Sequence, residues 1–117
     1  MQSGHELDEK VAEALGYTRD ERQIAVNAEP CNGYVIGGSW YSHIPSFSTA
    51  WRDMGVLIEL ARRQGVLIDI ETLPDRYKAR AFRWNGSAFD EVANAAEGQS
   101  APHIVCDVFL QAKSAEI

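Results

Sequence analysis

Apolar residues at Leu7, Val11, Ala14 and Leu15 follow the spacing of one helix face, with Asp8, Glu9, Lys10 and Glu13 on the other. Ser3 and Glu6 form a capping-box pattern ahead of them, and Gly16 stands where a left-handed C′ residue ends a helix, with Tyr17 as its hydrophobic partner. The pattern predicts a first helix over 3–15. Pro45 disfavours helical angles at Ile44, and Ser48 or Thr49 then offers a cap, with Phe47 covering the first turn. Trp51, Met54, Ile58 and Ala61 make the next helical stripe, widened by Ala50 and Leu57; Arg62 and Arg63 suit the last turn, and Gly65 closes it. This second helix spans about 49–64, with Trp51 expected in the core and Gly55 expected where another backbone comes close. Ser100 and Pro102 open a third helix over 101–113, whose Ala101, Ile104, Val105, Val108, Phe109, Leu110 and Ala112 make a wide, buried stripe.

Between the helices the period drops to two. Val66 to Glu71 and Tyr77 to Trp84 alternate on either side of Leu73-Pro74-Asp75 and read as an antiparallel hairpin. Asn85-Gly86 signals a tight turn before a short strand over 88–92, and 94–99 is loop by composition. Gln23 to Asn27, Tyr34 to Ile36 and Trp40 to Ile44 are shorter strand candidates, with 18–22 a polar loop, Asn32-Gly33 a turn and Gly37-Gly38 a strand stop. The expected fold is α+β: a single-domain sandwich of about three helices on an antiparallel sheet of about 3–5 strands, spanning 1–117. No repeat, linker or low-complexity tract interrupts it.

Charge narrows the function classes. The 117 residues carry a formal net charge of −6, which argues against direct nucleic-acid binding, since phosphate neutralisation needs clustered Lys and Arg. An acidic surface suits solubility or a basic protein partner. No apolar run approaches the roughly 20 residues needed to span a bilayer, and Gly4-His5-Glu6-Leu7-Asp8 is too polar for a signal peptide, so no membrane role is expected. Cys31 and Cys106 lie outside any CxxC pattern and are expected as free thiols in a reducing cytoplasm.

With the helix starts located, a family resemblance emerges. Pro45-Ser46-Phe47-Ser48-Thr49-Ala50-Trp51 leads an aromatic-rich segment into the middle helix, and Ser100-Ala101-Pro102-His103-Ile104-Val105-Cys106 opens the last, after a hairpin carrying aromatics. This resembles the small tailed-phage and prophage proteins of the phage ABA sandwich domain, over about residues 33–112. Phe47 stands where that family has tyrosine, Ala50 where it has an acidic residue, and His103 where it has an aliphatic one. The resemblance implies helices packed on an antiparallel sheet and expression in a bacterial host cytoplasm; the family's function being largely unknown, it implies no activity.

The candidate chemistry is sparse. His103, Cys106 and Asp107 share one turn, and His103 could activate the thiol, but Cys106 lies on the apolar face, where a cysteine acts as a small hydrophobe. Three scattered histidines make no metal site, and no phosphate loop follows Gly37-Gly38; no catalytic residue, metal or cofactor is expected. Arg76, Lys78 and Arg80 point to one strand face. They read either as a solvated face paired with Asp69 and Glu71, or, with Trp84 and the neighbouring aromatics Trp40, Tyr41, Tyr77 and Phe82, as a ligand-binding subsite for a small anion such as a nucleotide. The preferred expectation is a non-enzymatic phage or prophage accessory protein that engages a host protein such as a defence nuclease complex. A nucleotide sponge and a particle-assembly accessory are the alternatives, and a homodimer is compatible with each.

Overall fold

The computed structural model describes residues 3–22, 26–27 and 29–115. Three helices, α1 (His5–Leu15), α2 (Trp51–Arg63) and α3 (Ala101–Ser114), stand where the periodicity puts them, in a single-domain α+β fold. Their ends obey local chemistry. Gly16 and Gly65 close α1 and α2 in the left-handed region, and the following residues donate back, Tyr17 N to Ala12 O and Val66 N to Ala61 O. At α3, Ser100 accepts from His103 N, with Pro102 in the first turn.

Among the described residues the strands form two antiparallel sheets. Strands β1 (Thr18–Arg22), β2 (Cys31–Ile36) and β3 (Ser39–Tyr41) run in the order β1-β2-β3. In the larger sheet β4 (Leu67–Thr72) and β5 (Tyr77–Trp84) form the expected hairpin, in register from Leu67↔Phe82 to Thr72↔Tyr77. The other side of β5 is shared by β6 (Phe89–Glu91) and β7 (Ala96–Gly98). Ile68, Ile70, Ala79, Ala81 and Ala96 face the helices, and small residues there let α3 lie close: Ala79, Ala81, Val105, Val108 and Phe109 have no exposed surface. The small sheet meets the core through buried Ile36 and through Gly37, where any Cβ would collide with Leu60 of α2 and φ is +58°.

Several local expectations give way to tertiary contacts. Thr18–Arg22 is a strand, because it pairs with β2 despite its polar composition. Asn32-Gly33 is strand rather than turn; Gly33 instead provides room for the Trp40 ring of β3. Residues 23–25 of the strand expected over 23–27 lie outside the described residues, while Val26 and Asn27 sit in a turn. Ala96–Gly98, expected as loop, is strand β7, held by β5. Ser3 does not cap α1, whose N-cap is Gly4, and Ala50 rather than Ser48 or Thr49 precedes α2.

Trp51 is also not core: it is 56% exposed and packs edge to face with Tyr77, centroids 5.6 Å apart. At 100° per residue the buried set Met54, Leu57, Leu60 and Ala61 centres the inward face between Leu57 and Ala61. Trp51 and Ile58 then fall on its border. Gly55 departs from expectation as well, since a Cβ there meets nothing within 4 Å. Gly55→Ala therefore stabilises the protein by about 0.5–1 kcal/mol through helix propensity alone. A rise in the urea midpoint at unchanged m-value checks this; destabilisation would mean that the site is crowded after all.

Candidate functional site

The hairpin register decides what the outer face of the larger sheet presents. Leu67, Asp69 and Glu71 of β4 lie opposite Phe82, Arg80 and Lys78 of β5; beyond β5, Glu91, Phe89 and Glu97 lie opposite Phe82, Trp84 and Lys78. All share the face turned away from the helices. Arg76, Lys78 and Arg80 are brought together as the alternation predicts, and Trp84 stands on the same face. Carboxylates surround them. Arg76 donates from Nε to Glu97 at 2.9 Å and from Nη1 to Asp75 at 2.7 Å, which raise its pKa further, the Glu97 hydrogen bond contributing most. Arg80 lies 3.9 Å from Glu71. At Arg76 a bound phosphate would have to displace the carboxylates of Glu97 and Asp75.

The other end of this face is apolar. Trp84 and Phe89 pack edge to face with centroids 4.8 Å apart, yet remain 56% and 60% exposed. Beside them Leu67, Ile68, Asp69, Phe82 and Phe89 line an open groove of about 350 Å³. The aromatics grouped with the cations thus separate: Phe82 and Trp84 share the face, Tyr77 meets Trp51, and Trp40 and Tyr41 belong to the small sheet, where Arg22 covers the Trp40 ring at 5.8 Å. Phe89 is the member that sequence reasoning missed. Its signal is the turn at Asn85, whose side-chain oxygen accepts from Ser87 N and Ala88 N and so sets Phe89 opposite Trp84.

No protein-family model, curated protein or solved structure matches the chain. The site is therefore argued from its residues.

The last helix places a hydroxyl, an imidazole and a carboxylate in line: Ser3 Oγ meets His103 Nδ1, and His103 Nε2 lies 3.3 Å from Asp107. The arrangement ties the start of α1 onto α3, and none of the clefts described above or along α2 adjoins it. Cys106, in the same turn, belongs to the core. It is fully buried, and burial first, then the charges of Asp8 and Asp107, push its thiol far above the ordinary range, so it persists as a neutral hydrophobe. Cys31 is exposed. A disulfide-exchange reagent should label Cys31 in the native protein and Cys106 only after unfolding; rapid labelling of both would contradict the buried placement. Among the described residues no three His, Cys, Asp or Glu side chains group to hold a metal ion, and no helix is long and apolar enough to cross a membrane.

Proposed function

We propose that this chain is a non-enzymatic binding protein, made by a phage or prophage, that engages a host protein such as a defence nuclease complex. The observation carrying the reading is the exposed Trp84–Phe89 pair beside an apolar groove, with Asp69 in its lining and Glu91 on the same face. Aromatic side chains left half in water lose hydrophobic free energy in the free protein and recover it on docking, which is why such residues anchor interfaces. The two carboxylates and the net charge of −6 favour a basic partner and accelerate its approach. The resemblance to phage ABA sandwich proteins supplies the setting, a bacterial cytoplasm during infection or lysogeny.

The immobilised protein, exposed to bacterial host lysate at moderate salt, is expected to retain a saturable partner. Trp84→Ala/Phe89→Ala should weaken retention by about 30-fold, the loss of one hot spot worth about 2 kcal/mol. Retention unchanged in the double variant would remove this face from the reading. Absence of any saturable partner would remove the reading itself.

A further inference from the structure

The groove is bounded on one side by a strand with an open edge. Strand β4 pairs with β5 alone among the described residues, so its second row of backbone N–H and C=O groups faces outward. Its helix-facing residues show the same margin: Ile68 and Ile70 keep some exposed surface, although Ala79 and Ala81 opposite them are completely covered. An added strand would cover that residual apolar surface and extend the ladder at once.

The side chains specify what kind of strand. On the outer face β4 shows Leu67, Asp69 and Glu71 in succession. A second copy pairing antiparallel about Asp69 would set Asp69 against Asp69, and one centred on Ile70 would set Asp69 against Glu71 twice. Like charges directly opposite destabilise a sheet, so the edge opposes its own kind. A strand carrying Lys or Arg at alternate positions meets both carboxylates instead. It completes cation–carboxylate–cation rows with Arg80 and Lys78 already in register on the far side of β4. Between those cations, apolar residues would cover Ile68 and Ile70, and the aliphatic stem of a cation opposite Leu67 would lie toward the groove of Phe82 and Phe89.

We infer that the free edge of β4 is a strand-addition site for an extended, basic segment of a protein partner, alternating Lys or Arg with apolar residues. This rests on the binding reading above and names the partner's chemistry. Main-chain hydrogen bonds supply affinity in such additions, and alternate side chains supply specificity.

The probe is a blocked ten-residue peptide alternating lysine and valine, with its glutamate–valine counterpart as control, titrated into the intact isotope-labelled protein. The lysine peptide should shift amides over 67–72 and the Trp84 indole, and the glutamate peptide should not. Asp69→Asn/Glu71→Gln, which keeps side-chain shape, should weaken the lysine peptide about tenfold, and Phe89→Ala, outside the edge strand, about threefold. Four results would overturn the inference: no shift at millimolar peptide, shifts scattered over the acidic surface, equal binding of both peptides, or a concentration-dependent homodimer perturbing the same amides. The same neutral double variant goes into the lysate experiment. Capture that survives it rejects the edge while leaving the host-protein reading intact; absence of capture by the native protein rejects that reading whatever the peptide does.

Discussion

Phe47→Ala is expected to lower the unfolding free energy by about 3–5 kcal/mol, the range for removing a fully buried aromatic and leaving a cavity. Phe47 has no exposed surface, although it sits in an irregular segment between Pro45 and α2. It plugs the junction where the lead-in meets the helical layer, beside Ser48, which is also fully buried. The lead-in has no ladder or helix of its own to hold it, so loss of the ring removes much of what fixes its path. At about 4 °C per kcal/mol or more for a domain of this size, the thermal midpoint should fall by more than 10 °C. Denaturation followed by circular dichroism measures it, and Phe47→Leu, which keeps most of the buried volume, should recover most of the loss. A change under about 1 kcal/mol for the alanine variant would show that the segment is not packed as described.

Asp8→Ala should cost about 1.5–3 kcal/mol, the range for a hydrogen bond to a charged group whose partner is left buried. Asp8 is 5% exposed and accepts Ser48 N at 2.8 Å, while Ser48 Oγ accepts Gly4 N at 2.9 Å. These two bonds clasp the start of α1 to the lead-in of α2. Removing the carboxylate strands the Ser48 N–H in a dry site. Asp8→Asn keeps an acceptor in place and should lose about half as much, which separates charge from shape. The charge of Asp8 also helps hold the Cys106 pKa up, second to burial. Thiol titration in the alanine variant should therefore show Cys106 somewhat easier to ionise but still far above an exposed cysteine; an unchanged value would mean that the charge of Asp8 does not reach it.

Both predictions concern residues whose local pattern points elsewhere. Asp8 lies among Glu9, Lys10 and Glu13 on the nominally polar face of α1, and Ser48 reads as a cap. Three hundred and sixty degrees of helix must be divided between neighbours, and the division is made by what packs alongside. Here the α2 lead-in lies against that flank of α1, so a carboxylate becomes an internal acceptor. Likewise Trp51 belongs to the apolar stripe of α2 by spacing, yet the stripe is wider than the contact, and its border faces water.

The candidate face divides in the same way. That Arg76, Lys78 and Arg80 share a side follows from the two-residue period of a strand, and needs no structure. That Arg76 is answered by Glu97 does not follow, because Glu97 lies 21 residues on, in a strand formed only by pairing with β5. Phe89 reaches Trp84 through a loop whose Asn85 was readable as a turn former, but the register that pairs them is a property of the folded hairpin.

The sequence by itself determined the elements whose signals are local: three helices, the glycine ends of α1 and α2, the proline start of α3, and the β4–β5 hairpin. Each follows from periodicity and turn chemistry acting over a few residues. Only the tertiary structure decided that the strands divide into two sheets, that polar 18–22 becomes a strand, and that Arg76 is paired with Glu97. It also left β4 with an open edge beside an exposed aromatic pair. Those outcomes depend on which strand finds which partner, and backbone pairing energy carries no sequence label until side chains distant along the chain meet.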